Sequence, residues 1–149
     1  MEKVRVTKEF NFEMAHALWN YDGACKNIHG HSYRLFVTII GVPIKDENNV
    51  KFGMVIDFKD LKEIVQRNIV QILDHSLIVY KNAAGDSLDS VKKMYEKVYV
   101  FDFQPTCENL ISHIAKILKE KLPAGISLHS LKLYETATSY AEWFASDNS

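Results

Sequence analysis

The sequence lacks the features that mark several large classes of protein. It has only two cysteines, Cys25 and Cys107, too few to suggest a disulfide framework. No apolar run reaches the roughly 20 residues that span a bilayer, and the first residues contain no continuous hydrophobic segment of the secretory type. The formal net charge of -1 shows no basic excess for binding nucleic acid. We therefore expect a cytoplasmic protein, not bound to membrane or nucleic acid, that acts on a small molecule.

The composition that remains is that of an ordinary globular domain. Hydrophobic residues make up 47% of the 149 residues and charged residues 25%, which argues against disorder. A domain of this length buries about two thirds of the surface of its unfolded chain. One core and a single domain covering residues 1–149 are expected.

The first third of the chain predicts two long strands joined by a loop. Apolar residues alternate from 4 to 16, and a second strand pattern runs from about 29 to 42. If the two strands pair antiparallel, His16 at the end of the first lies opposite His29 and His31 at the start of the second. Three histidines are therefore predicted to converge.

The rest of the chain predicts two helices and further strands. In both helices apolar residues recur at three- and four-residue spacing, which indicates one buried stripe. The segments follow in this order: a helix from about 58 to 73 after an N-cap at Asp57, a polar excursion from 80 to 97, a segment from 98 to 103 that extends as a strand or packs as a loop, a helix beginning at the N-cap Thr106, and strands at about 126–135 and 139–145. The excursion is rich in Lys, Asp, Gly and Ser, so we expect it to be solvated.

The three histidines suggest a metal site. His29 and His31 project to the same side, because alternate residues of a strand share a face. Together with His16 they match a catalytic zinc site, in which three protein ligands leave a fourth position open for water or substrate. Fe²⁺, Ni²⁺ or Co²⁺ could occupy the same nitrogens. The alternative is a chance grouping of hydrogen-bonded histidines.

Cys25 lies just before the histidine pair, and two roles are open to it. As a fourth ligand it would close the site as Cys-His₃ and leave an inert protein. As a thiolate beside the cation it would work as a base. The adjacent Asp74 and His75 at the end of the first helix are natural partners for such a base, because a carboxylate can fix the tautomer of an imidazole that exchanges a proton. Glu135, taken alone, is a solvated carboxylate.

Six segments together resemble the 6-pyruvoyl-tetrahydropterin synthase and 6-carboxytetrahydropterin synthase family: FEMAH at 12–16, CKNIHGH at 25–31, MVIDFKDLK at 54–62, LDH at 73–75, PTCENL at 105–110 and YETATSYAEW at 134–143. The most specific part is C-x3-H-G-H with the upstream histidine and the downstream L-D-H. The resemblance implies an α+β tunnelling fold, in which a four-stranded antiparallel sheet carries two helices on one face. It also implies that subunits join into a barrel, usually a homohexamer built as a dimer of trimers.

The resemblance implies roles for individual residues. It assigns His16, His29 and His31 as zinc ligands, Cys25 as the proton acceptor, Asp74 and His75 as its relay, Glu135 as the carboxylate that anchors the pterin and also joins the relay, and Thr106 as a further contact to the pterin ring. The substrate that it implies is 7,8-dihydroneopterin triphosphate. A carboxylate suits a pterin, because the ring N–H and the exocyclic amine form an adjacent pair of donors.

The most specific of these expectations concerns the reaction product. The spacing of four from Cys25 to His29 is similar to that of bacterial 6-carboxytetrahydropterin synthases of the queuosine and 7-deazaguanine pathway. We expect a zinc-dependent lyase that forms 6-carboxytetrahydropterin and releases acetaldehyde and triphosphate. One alternative is triphosphate elimination to 6-pyruvoyltetrahydropterin in the biopterin pathway. Another is a non-catalytic pterin-binding or structural module, in which zinc only braces the loop from 17 to 28.

Overall fold

The computed structural model describes residues 1–83 and 85–149 of the chain. Within these residues the strands are β1 (Val4–His16), β2 (His29–Gly41), β3 (Ser76–Tyr80), β4 (Val98–Phe101), β5 (Ser127–Tyr134) and β6 (Tyr140–Phe144). The helices are α1 (Phe58–Val65), α2 (Gln71–Leu73), α3 (Asp86–Met94) and α4 (Cys107–Lys121). A π-helical turn, Gln66–Val70, joins α1 and α2 into one continuous helical stretch.

The strands form one mixed sheet in the order β4-β3-β1-β2-β5-β6. β1 and β2 pair antiparallel over their whole length, from Val4 opposite Gly41 to His16 opposite His29. β5 and β6 continue the antiparallel half on the far side of β2. On the other side β3 runs parallel to the end of β1, and β4 runs parallel to β3. The sequence predictions for β1, β2, β5 and β6 are confirmed to within a residue or two.

The predicted four-stranded antiparallel sheet is wrong, because β3 and β4 extend it to six strands and make it mixed. A parallel neighbour requires a crossover connection, usually a helix. The segment between β3 and β4 provides that crossover and contains α3. It falls within the excursion predicted from 80 to 97, where residue 84 lies outside the described residues. No described side chain of that excursion is buried, as expected, but the helix in it was not predicted.

The core lies between one face of the sheet and two helical segments. Asp57 caps α1 by accepting a hydrogen bond from the N–H of Lys59, and Thr106 caps α4 by accepting one from Asn109. The stripes that these helices bury are Leu61 and Val65 on α1 and Cys107, Leu110, Ile111, Ile114, Ala115 and Leu118 on α4. They pack on the apolar face of β1, β2 and β5, as one cluster. The end of that face carries the predicted histidines.

No helix in the described part of the chain is both long and apolar enough to cross a bilayer.

Candidate functional site

The three predicted histidines meet at one end of the β1–β2 pair. The register sets His16 opposite His29, and His31 follows two residues later on the same face. The ring centroids are 4.6 Å apart for His16 and His29, 4.9 Å for His29 and His31, and 5.1 Å for His16 and His31. One ligating atom from each lies within 4.8 Å of the other two. The predicted convergence of this histidine centre (His16, His29 and His31) is confirmed.

Backbone carbonyls fix the tautomers of two of these rings. Nδ1 of His16 donates to the carbonyl oxygen of Pro105 at 2.6 Å, and Nδ1 of His29 donates to that of Asn27 at 2.7 Å. Each ring must therefore carry its proton on Nδ1, because a carbonyl can only accept. Both Nε2 atoms then present lone pairs, and they lie only 3.0 Å apart. Two facing lone pairs repel, and a cation between them removes that repulsion.

The environment of His31 and the pKa of His16 also favour a cation at this site. Nε2 of His31 is buried without a hydrogen-bond partner among the described residues, although Oε1 of Glu135 lies 3.3 Å away. Burial lowers the pKa of His16 below its usual value, outweighing the opposing effects of the Pro105 hydrogen bond and the Glu135 charge. Neutral imidazole is the form that ligates a metal. Three imidazoles that converge in this way are a donor set that fits Zn²⁺.

Cys25 lies in the loop that enters β2, within a 3-10 turn, Ala24–Lys26. It is a free, half-buried cysteine, and its carbonyl oxygen accepts a hydrogen bond from the N–H of Leu18. Among the described residues, the ligating group contains the three histidines and not this thiol. The arrangement is therefore that of an open three-histidine site rather than a closed Cys-His₃ site.

Asp74 and His75 form the tight connection between α2 and β3, which we call the elbow (residues 73–76). Oδ2 of Asp74 lies 2.9 Å from Nδ1 of His75, and Oδ1 accepts from the N–H of Glu13 at 2.8 Å. The N–H of His75 donates to the carbonyl of Glu13 at 2.6 Å. His75 adopts φ 61°, a left-handed conformation that costs a non-glycine residue roughly 1–2 kcal/mol. The predicted carboxylate–imidazole pair is thus held against β1.

The pKa of Asp74 reflects this environment. Burial alone would raise it, but the hydrogen bonds from Glu13 and His75, together with the positive charges of His75 and Lys97, lower it overall. The carboxylate therefore stays ionised and keeps its interaction with the ring of His75.

His75 faces an open cavity of about 950 Å³. Its imidazole side chain is 76% exposed. The cavity wall includes His31, Glu13 and Ser32 on the sheet and Met94 at the end of α3, but not Cys25. In the described residues of one chain, no hydrogen bond or ion pair joins the Cys25 thiol to the elbow. The structure thus brings His75 and one member of the histidine centre, His31, to one cavity, but it does not assemble the whole predicted relay.

The two residues expected to hold a pterin lie near the histidine centre. Glu135 follows β5 and lies beside His31, as described above. Thr106 is half-buried, and its hydroxyl accepts the capping hydrogen bond from Asn109 at 3.2 Å. Sequence reasoning missed a third residue, Tyr33, which is 1% exposed and has a buried hydroxyl without a hydrogen-bond partner in the described part. Burial first, and then the charge of Glu135, raise the pKa of this hydroxyl, so it remains a donor. The alternation along β2 places Tyr33 on the histidine face, which was the available signal.

A comparison with protein families decides the membership of the chain. The model of the 6-pyruvoyl tetrahydropterin synthase family matches residues 5–146. The chain belongs to this family. A 6-carboxy-5,6,7,8-tetrahydropterin synthase of Haemophilus influenzae is 38% identical to it over 93% of this chain and 97% of that protein. A protein of the same name from Synechocystis is 35% identical over 94% and 92%, respectively. The 6-pyruvoyl tetrahydrobiopterin synthase of Pongo abelii, a second branch of the family, is 31% identical over 90% and 86%.

Solved structures share this fold. An uncharacterised protein from Wolinella succinogenes superimposes with a TM-score of 0.77 at 22% identity, covering 97% of this chain and 99% of the other. The 6-pyruvoyl tetrahydropterin synthase of Caenorhabditis elegans gives a TM-score of 0.68 at 21% identity, covering 97% of each. At these identities the likeness establishes the fold of the family, with its curled mixed sheet and packed helices.

Proposed function

We propose that the protein is a zinc-dependent 6-carboxytetrahydropterin synthase. It converts 7,8-dihydroneopterin triphosphate and water to 6-carboxy-5,6,7,8-tetrahydropterin, acetaldehyde and triphosphate, as a cytoplasmic step of queuosine and 7-deazaguanine biosynthesis. The observation that carries the proposal is the histidine centre, where facing Nε2 lone pairs lie 3.0 Å apart in a family of tetrahydropterin synthases. A purely structural module has no use for an open fourth position or for an exposed acid–base pair.

The residues divide the chemistry between them. His16, His29 and His31 hold the zinc ion. When bound, zinc would supply Lewis acidity that makes a C–H of the substrate side chain easier to deprotonate. Other side chains act as the general base, relay the proton and bind the pterin.

Cys25 accepts that proton as the general base. His75, oriented by the Asp74 carboxylate, exchanges the proton onward. Glu135 accepts from the paired N–H donors of the pterin, and Thr106 adds a contact to the ring. Both lie at or next to elements that contact the histidine centre, since Pro105 accepts from His16 and Glu135 lies beside His31.

A homohexamer built as a dimer of trimers is part of the proposal. Its support is that no hydrogen bond or ion pair joins the Cys25 thiol to the elbow in the described residues of one chain, and that the His75 side chain is 76% exposed. A neighbouring copy can bring an elbow to Cys25. The sheet also ends in β4 and β6, whose outer edges need cover in a soluble protein.

A mixing experiment tests the shared site. Cys25→Ala and His75→Ala proteins, each strongly impaired alone, are unfolded together, refolded and assayed. Recovery of part of the wild-type activity indicates that one site takes residues from two chains. A monomer in analytical ultracentrifugation at micromolar concentration would contradict the assembly.

The reaction itself is tested by the product. Mass spectrometry of the pterin product should detect 6-carboxytetrahydropterin, and an acetaldehyde assay on the same sample should give an equal amount. The rival product, 6-pyruvoyltetrahydropterin, is favoured by the similarity to the Pongo abelii enzyme and forms without acetaldehyde. Absence of turnover by zinc-loaded protein would refute both reactions and leave a pterin-binding or structural module.

A further inference from the structure

The elbow is held from a second side by a residue that has no part in the proposed chemistry. Nζ of Lys97 donates to the carbonyl oxygen of Gln71 at 2.7 Å and to that of Asp74 at 2.8 Å. Lys97 directly precedes β4, and its own carbonyl accepts from the N–H of Leu77 at 2.9 Å. The side chain of Lys97 therefore contacts the helical end of the elbow, and its backbone contacts the start of β3.

These contacts meet a specific need of the elbow. The last carbonyls of a helix lack intrahelical partners and favour a nearby cation. The continuous helical stretch ends at Leu73, and the chain must then turn through the strained left-handed conformation of His75. Such strain persists only where surrounding contacts over-determine it. Glu13 supplies those contacts from β1, and Lys97 supplies them from the opposite side.

We propose that Lys97 is a positioning residue for the acid–base pair, and that it acts by fixing the carbonyls of Gln71 and Asp74 so that the His75 ring keeps one orientation. This inference rests on the proposed function for the role of His75. It also gives the segment from 80 to 97 a purpose, because the crossover through α3 returns the chain at the point where Lys97 reaches the elbow. The ammonium group uses two of its three donors there, and its charge is one of those that keep Asp74 ionised.

Three variants test the role through kinetics. Lys97→Met keeps most of the side-chain length and removes the donors, Lys97→Arg restores a cation that can donate to two carbonyls, and Lys92→Met on the exposed face of α3 is the matched control. We expect Lys97→Met to lower kcat on the order of tenfold, since small misplacements of a reacting group are costly, with KM and zinc content unchanged. Lys97→Arg should recover most of that loss, and Lys92→Met should match the wild type.

A double variant separates positioning from a general loss of structure. If Lys97 acts through His75, Lys97→Met adds less than about a twofold loss in a His75→Ala background, because coupled residues are not additive. A full additional tenfold loss in that background, or a normal kcat in the single variant, overturns the proposal.

Amide exchange keeps the two proposals distinguishable. Lys97→Met should speed hydrogen exchange of the amides of residues 74–77, whereas Lys92→Met should not. This measurement needs no turnover. If the wild type fails to convert the pterin, the proposed function fails, and unchanged exchange in Lys97→Met would separately refute the positioning role.

Discussion

His31 of the histidine centre and His75 of the elbow line one cavity, but the two regions are built in different ways. His16 is 1% exposed and ends β1, which pairs with β2 along its full length. Its ring is oriented by a backbone carbonyl. His75 is 76% exposed and lies on a strained turn at a helix end. Ligands must hold one geometry around an ion, so regular strand pairing suits them. A proton-exchanging ring needs access and a fixed direction, which a short anchored turn provides.

Removing one of the three histidines should have the largest effect on the protein. His29→Ala should lose most of the bound zinc, from about one ion per chain, and with it more than about 100-fold in activity. Elemental analysis of the purified protein measures the zinc. His129→Ala, a half-buried histidine of β5, is the control and should keep both zinc and activity. Full zinc content in the His29 variant would locate the metal elsewhere.

Removing the base should separate chemistry from metal binding. Because Cys25 is outside the ligating group, Cys25→Ala should stay folded and zinc-loaded while losing about 10²–10⁴-fold in kcat, the usual contribution of a general base. Cys107→Ser, at the buried cysteine of α4, is the matched control and should retain activity. Loss of zinc from the Cys25 variant would instead make this thiol a fourth ligand.

Glycine substitutions should sharpen the comparison in stability. At the elbow, His75→Gly should be more stable than His75→Ala by about 0.5–1 kcal/mol, because glycine accepts the positive φ that strains alanine. At His29, in the extended backbone of β2, the order should reverse by a similar amount. Urea unfolding of the four variants measures both differences. The same order at both positions would show that the elbow is not strained.

The smallest expected effect concerns acid stability. The pKa of Asp74 is lower in the folded chain than the ordinary value of about 3.9. Its contribution to stability is therefore present above the unfolded pKa and is lost as pH falls through the lower, folded pKa. With its side chain 35% exposed, that contribution is at most about 1 kcal/mol.

Comparing Asp74→Asn with the wild type tests this effect. The difference in unfolding free energy between the two metal-free proteins should shrink as pH is lowered from about 6 to about 3. Asp89→Asn, an exposed position of α3, should show no such trend. A difference that grows on acidification would contradict the sign of the pKa shift.

The sequence predicted the histidine centre better than the elbow, for physical reasons. Strand alternation has period two, so it fixes which side His16, His29 and His31 take, and their pairing follows from a single loop. β3 was missed and the segment of β4 was left open between a strand and a loop, because four or five residues carry too little periodicity and parallel pairing depends on distant segments. Lys97 was missed because it recognises backbone carbonyls, whose positions no residue type reveals.

The loop of Cys25 was also beyond sequence reasoning. The spacing from Cys25 to His29 could be read from the sequence, but not that, in the described residues, no hydrogen bond or ion pair joins its thiol to the elbow. Thr106, by contrast, was correctly predicted as the N-cap of α4, because capping depends on neighbours along the chain.

The π-helical turn at Gln66–Val70 has the character of a one-residue insertion in the helical stretch that leads to the elbow. Each helical residue adds about 100° of rotation, so every residue beyond the turn is rotated by that angle relative to an uninterrupted α-helix. Asp74 thus owes its direction toward Glu13 to an irregularity two turns away in the chain. Deleting one residue there would restore regular helical geometry and leave Asp74 in its present direction, whereas a regular α-helix through all of these residues would point the carboxylate away from the strand that now holds it.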